Sequence, residues 1–196
     1  MNRFAPRYPG DVARMIREEV LGLVTTHDAQ GFITTPLPLL AELDDVGEVR
    51  ALIGHFALAN PHFARARATP QAQISFFGPH GYIGPGMVSK PGWAPTWHYR
   101  LAQFEVEIDL RPEASDAAIR ALVEAMEGAG EGAGEGAWTI EQMGERYARL
   151  VAHVVAFRAR VIRASTRFKL GQDEDEKSYG EILAALGDSA LARTMR

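Results

Sequence analysis

The sequence predicts a small antiparallel β-barrel with peripheral helices, an α+β chain in which strands dominate. Three observations carry this expectation. About six segments with strand patterning follow one another in hairpin-like order, with short helices inserted between them. Strands and helices do not alternate consistently enough for a doubly wound sheet. Pro36 and Pro38 stand at alternate positions of one strand, so their missing N–H groups face the same side, as at a sheet edge or barrel rim. The 196 residues fit a single domain spanning 1–196.

The elements follow in order. Gly10-Asp11 starts a helix to about Val20, with an apolar stripe of Val12, Met15 and Ile16. LGLVTTHD reads as a strand, residues 28–31 as a turn, and FITTPLPLL as the returning strand. The loop ELDDVGE leads to the strand VRALIGHF. Asn60-Pro61 then opens a helix, with Asn as cap and Pro in the first turn. AQISFFGP is the next strand. FEVEIDL alternates Phe104, Val106, Ile108 and Leu110 with acids, which indicates a strand with one wet face. Ser115 is expected to cap a helix to about Met126, and Thr139 one to about Ala148. Between them GAGEGAGEGA, residues 128–137, cannot bury apolar surface and is expected to be a mobile insert. HVVAFRARVIRAS has the β-branched content of a strand, and a C-terminal helix is expected over about 178–193.

Composition excludes several classes. The chain has no cysteine, which removes disulfides, thiolate catalysis and zinc–thiolate sites and fits a reducing cytoplasm. No apolar run is long enough to span a membrane, and the N-terminus shows no signal-peptide pattern. The net charge of −4 argues against a nucleic-acid-coating protein. The charge is uneven, however. Seven basic residues and no acid lie between Arg146 and Gln172, and Asp173-Glu174-Asp175-Glu176 follows directly. Such a stretch is either an anion-binding patch or a strand face neutralised by acids.

Residues 78–99, GPHGYIGPGMVSKPGWAPTWHY, combine shape-restricting Gly and Pro with Tyr82, Trp93, Trp97, Tyr99 and two histidines. This suggests a shaped loop that either walls a flat ligand or packs as a lid on the core. No phosphate-binding P-loop, dinucleotide fingerprint, nucleophile elbow or H-E-x-x-H is present. The six histidines are scattered at non-metal spacings, so no metal site is expected.

HFALANP (55–61), GPHGYIGP (78–85), PTWHY (95–99) and FKLGQ (168–172), with FAPRYP and TTPLPLL upstream, resemble the PaiB-like family of FMN-binding negative transcriptional regulators. The resemblance covers most of the chain from Phe4 to Gln172. It implies a split β-barrel of the FMN-binding type, a homodimer, and FMN at the subunit interface. It also implies site residues. His55 to Asn60 would face the phosphate, helped by the helix N-terminus. Thr34 and Thr35 lie on the strand that would run past the ring. Tyr82, Trp97 and Tyr99 would wall the slot, and Lys169 and Gln172 would approach from the C-terminal segment. Such a protein would be regulatory or sensory. A flavin- or haem-dependent oxidoreductase on the same barrel is the alternative. Its only adjacent acid–base candidates, His98 and Tyr99, would point to opposite faces of a strand. Direct DNA binding lacks a recognition helix.

Overall fold

The computed structural model describes residues 3–128 and 138–196. The expected insert at 128–137 lies, apart from Gly128, outside the described residues. Seven strands form one antiparallel sheet: β1 (Leu21–Asp28), β2 (Gly31–Pro38), β3 (Leu40–Leu43), β4 (Val49–Ala57), β5 (Gln71–Ile83), β6 (Thr96–Arg111) and β7 (Val154–Lys169). Their order is β2-β1-β5-β6-β7-β4-β3. The two outermost strands, β2 and β3, are consecutive in the chain with only Leu39 between them. A sheet whose opposite edges are one residue apart has to curl on itself, and that makes the barrel. β2 is an edge strand, as Pro36 and Pro38 require.

The barrel interior is filled by alternate residues of each strand, including Val24, Leu52, Phe56, Ile74, Phe76, Phe104 and Phe157. Leu39 is buried at the closure. Its side chain occupies the room left by Gly22 on β1 and Gly54 on β4. The helix α2 (Pro61–Ala68) closes one end. Arg65 holds it to the β1–β2 hairpin through Asp28, at 2.6 and 2.7 Å, and through the Gly31 carbonyl.

The long strands outrun their neighbours. β1 pairs with β5 only over Ala72–Ser75, and β4 pairs with β7 only over Val154–Arg160. Beyond those limits β5, β6 and β7 continue as a three-stranded extension. Its inner face carries the buried Ile83, His98, Arg100, Phe168 and Leu170. That face lies against α1 (Asp11–Glu19), α5 (Glu176–Leu186), α6 (Ala190–Met195) and the segment leading into α1. α3 (Ser115–Glu127) packs on β4 and β7, and α4 (Glu145–Val151) packs on α3.

Several expectations need correction. Both ends of 78–99 are strand rather than loop: β5 runs to Ile83 and β6 begins at Thr96, because aromatic residues are strand formers that also pair across strands. The loop between them, residues 84–95, is clamped to α5 and its N-terminal approach. Ser89 bonds Glu181, Lys90 bonds Asp175 at 2.9 Å, and Trp93 Nε1 donates to Glu174 at 2.9 Å. The acidic run therefore holds this loop. FITTPLPLL is two strands broken at Leu39. The C-terminal helix is two helices, because Gly187 adopts φ of 60°. Ser115 is the first helical residue instead of the cap, and its hydroxyl bridges the Val154 carbonyl and the Ala156 N–H. Thr139 precedes a 3-10 turn (Ile140–Met143) that Gly144 separates from α4.

Candidate functional site

The outer face of the three-stranded extension carries an aromatic wall. A bulge between Phe77 and His80 shifts the β5–β6 register by one residue. Simple alternation would put Phe77 opposite to His80 and Tyr82. The bulge puts all three on one face, beside their β6 partners Leu101, Tyr99 and Trp97. His80 stacks on Trp97 with centroids 6.1 Å apart, and Tyr82 meets Trp97 edge-on at 6.1 Å. Phe77 lies 4.7 Å from His80 and 6.1 Å from Tyr99. Trp97 is 53% exposed, Tyr82 49% and Phe77 49%, so about half of each ring is left uncovered by the described residues. β7 supplies the cations. Arg167 Nε donates to the Tyr99 hydroxyl at 2.9 Å, and Lys169 donates to Thr96 Oγ1.

A second cluster sits where α2 closes the barrel. The Asn60 side chain caps α2 by accepting the His62 N–H at 2.9 Å. His62 is fully buried. Its Nδ1 bonds Thr35 Oγ1 at 2.9 Å and its Nε2 bonds Thr26 Oγ1 at 3.1 Å. Asn60 Nδ2 also reaches Thr35 Oγ1, at 3.5 Å. Burial, helped by the positive charge of Arg65, holds the His62 imidazole below its ordinary pKa and so in its neutral form. Thr34 points the other way, towards solvent, and bonds Thr25 across the hairpin at 2.8 Å.

The sequence-predicted residues thus separate into groups. Thr35 and Asn60 come together with Thr26 and His62, which residue type alone did not distinguish from the other histidines. Tyr82, Trp97, Tyr99 and Lys169 come together with Phe77 and His80, a grouping that depends on the bulge. His55 joins neither through a described contact. On β4 its neighbours Gly54 and Phe56 face the core, so His55 faces outward, and burial alone lowers its pKa. Gln172 is folded back on its own turn, accepting the Leu170 N–H and donating to the Phe168 carbonyl. His98 and Tyr99 do point to opposite faces: His98 is fully buried inside and Tyr99 lies on the outer wall.

The basic stretch is largely neutralised. On β7, Arg160 pairs with Glu107 and Arg163 with Glu105, each opposite its partner in the β6–β7 register. Arg158 makes a two-point contact with Glu42 at 2.9 and 3.0 Å. The arginines hold Glu105 and Glu42 below the usual carboxylate range. Cations towards the end of β7, Arg167 and Lys169, flank the aromatic wall instead.

A family model described as "Putative FMN-binding domain" matches residues 2–163. The chain belongs to that family. It is 23% identical over 177 residues to protease synthase and sporulation protein PAI 2 of Bacillus subtilis (strain 168), covering 90% of this chain and 83% of the relative. Among solved structures it is similar to the FAD and heme binding protein from Mycobacterium smegmatis, at TM-score 0.61 and 16% identity over 93% of this chain and 80% of that one. It is likewise similar to the flavocytochrome Anf3 from Azotobacter vinelandii, at TM-score 0.61 and 14% identity over 89% and 74%. The fold is the split β-barrel of these flavin-binding proteins.

The residues present fit a flavin. A flavin ring needs a flat apolar wall, and its phosphate needs cations, hydroxyls or N–H groups. The family's FMN-binding fold here offers an exposed aromatic wall edged by Lys169 and Arg167. It also offers a Thr- and Asn-lined helix N-terminus.

Proposed function

We propose that this protein is an FMN-binding sensor or regulator that acts as a homodimer, with the flavin held between the two copies. The uncovered aromatic face of β5 and β6 carries this reading. Three half-exposed rings and a stacked imidazole on a bare sheet face are costly to leave in water. A second copy and a flat ligand would cover them.

The separation of the two clusters supports a site shared by two copies. Thr35 lies opposite Val24, which lies opposite Ile74 on β5. Tyr82 is eight residues further along β5, which is on the order of 25 Å at about 3.3 Å per residue. One chain cannot easily bring Thr35 and Asn60 to the same flavin as its own Tyr82 and Trp97. Two chains related by a twofold axis can, with one giving the helix-capped end and the other the aromatic wall.

Each residue then has a task. Trp97 and Tyr82 stack on the ring and exclude water. Lys169, oriented by Thr96, and Arg167, oriented through Tyr99, offer positive charge at the wall's edge. Neutral His62 fixes Thr35, and Asn60 organises the first turn of α2. Bound flavin would supply a redox-responsive group. A regulatory rather than catalytic role is supported by the likeness to PAI 2, whose name ties that relative to protease synthesis and sporulation. The opposed faces of His98 and Tyr99 also keep these two from acting as an acid–base pair at the wall. Direct DNA contact is not favoured, since Arg158, Arg160 and Arg163 already have carboxylate partners.

The test is an FMN titration of the full chain, followed by flavin fluorescence, together with its mass in solution. Saturable binding by a dimer is expected. Folded protein that stays monomeric or leaves FMN fluorescence unchanged overturns the reading.

A further inference from the structure

The inner side of the extension holds a cavity of about 770 Å³, on the face of the sheet opposite the aromatic wall. Its floor is Arg100 with Phe168 and Leu170, and its walls include Arg7, Arg14, Arg193 and Arg196. Arg100 is 4% exposed, which is unusual for a guanidinium. Its carbon lies 5.9 Å above the Phe168 ring centre. Nη2 donates to Glu18 at 2.8 Å and reaches Glu19 only at 3.4 Å. Among the described residues, Arg100 Nε has no hydrogen-bond partner. Beside it stands Gly78, where a Cβ would come within 3.0 Å of Nε and 3.1 Å of Glu19 Oε1.

These observations describe an under-satisfied cation in a roomy cavity. A buried guanidinium with an unmet N–H is costly unless something pairs with it. Five guanidiniums and the carboxylates Asp11, Glu18 and Glu19 line the cavity. Arg14 pairs with Asp11 at 2.6 Å, and Asp188 outside the cavity is shared by Arg193 at 3.4 Å and Arg196 at 3.8 Å, which leaves one more cation than carboxylate. Glu19 is the weaker partner by geometry, at 3.4 Å, and burial raises its pKa despite the nearby Arg100. Arg7 is held towards the cavity by bonds to the Met195 carbonyl and the Tyr179 hydroxyl, and a guanidinium has five N–H donors to share. The floor is apolar, with Phe168 and Leu170 each 3% exposed.

We propose that this cavity is a second ligand site, distinct from the flavin wall, and that it takes a small organic carboxylate with an apolar body. The carboxylate head meets Arg100, which favours two-point contact with planar oxyanions. The body lies over Phe168 and Leu170. The ligand displaces the long Glu19 contact and leaves the shorter Glu18 contact in place.

The experiment is calorimetric titration of the full chain with benzoate, hexanoate and inorganic phosphate as probes. Benzoate or hexanoate is expected to saturate at a Kd of about 1 mM or below, with phosphate roughly tenfold weaker for want of an apolar body. Glu19→Gln removes the competing carboxylate and tightens binding about threefold or more. Arg100→Gln, checked for folding by circular dichroism, abolishes it. Should that variant not fold, Arg193→Ala serves, with an expected weakening of about threefold. Trp97→Ala leaves binding unchanged. No saturation by any probe, equal affinity in wild type, Glu19→Gln and Arg193→Ala, or loss of binding in Trp97→Ala each overturns the proposal. Phosphate binding as tightly as benzoate overturns the role of the apolar floor. Because FMN is absent from the assay, failure here leaves the flavin reading standing, and the reverse also holds.

Discussion

Leu39 occupies the space that a side chain on Gly54 would need. A Cβ built at Gly54 would lie 2.5 Å from Leu39 Cδ2 and 2.9 Å from Phe157 Cζ, and one at Gly22 would lie 2.7 Å from Leu39 Cδ1. The single residue that carries the chain from one sheet edge to the other is therefore locked between two glycines on strands from different parts of the barrel.

Gly54→Ala is expected to destabilise the protein by about 1–3 kcal/mol through overpacking. Leu39→Ala is expected to cost about 2–5 kcal/mol through the cavity it leaves. Combined, the two changes should cost clearly less than their sum, because the new methyl enters the vacated space. Urea denaturation of the four proteins measures this, and strict additivity would show that the residues do not compete for one volume.

The cap of α2 can be tested separately. Asn60→Ala removes the acceptor of the His62 N–H and should cost about 1 kcal/mol. Asn60→Asp retains that acceptor and should retain most of the stability. If both variants behave alike in thermal melts, the hydrogen bond is not what stabilises this end of the barrel.

His98 makes stability depend on pH. Burial, helped by the charge of Lys169 and opposed by Asp173, pushes its pKa down to about 4 from an ordinary 6.5. Neither ring nitrogen has a partner among the described residues. Between those values the unfolded chain binds a proton that the folded chain refuses, so stability falls as pH drops from 6.5 towards 4. The contribution is at most on the order of 3 kcal/mol. His55 and His62 are shifted in the same direction and add to the effect. His98→Asn should flatten, though not abolish, the slope of urea midpoint against pH in that window. An unchanged slope would mean that His98 is solvated.

Trp97→Ala should weaken FMN binding about tenfold or more while leaving the melting temperature nearly unchanged, because the ring is 53% exposed and lies outside the core. Mixing Trp97→Ala with a variant that has lost binding through Thr35→Ala and Asn60→Ala offers a sharper test. If each flavin is touched by two copies, mixed dimers regain one intact site of two. Absence of any recovery after subunit exchange would place both residue sets on one chain's own site.

The strands were legible in the sequence wherever one face is wet and the other dry, as in FEVEIDL, whose acids meet Arg160 and Arg163 of β7 across the ladder. The helix start at Asn60-Pro61 was legible because the cap is a local interaction. The strand ends within 78–99 are hidden in the sequence because its glycines and prolines outweigh its aromatics, while residues 84–95 are the loop it suggests. Pro79 is accommodated at the bulge, and the glycines at 78 and 81 leave room for Arg100 and Leu191. The sequence alone leaves the basic stretch either an anion-binding patch or a neutralised strand face, and its partners decide for the second at Arg158, Arg160 and Arg163. These partners lie 53 and 58 positions away for Arg160 and Arg163, so nothing local indicated them.

By itself the sequence determined the strand-rich class, the helix that closes the barrel, the family, and the residue types that could meet a flavin. All of these rest on local pattern: alternation, caps and short motifs. Only the tertiary structure decided that Phe77, His80, Tyr82, Trp97 and Tyr99 share one bare face, since a one-residue bulge reverses the facing of everything after it. It also decided that the acidic run clamps a loop and that Arg100 lies buried opposite the aromatic wall. Side-chain facing depends on register, and register is set by contacts between strands far apart in the chain.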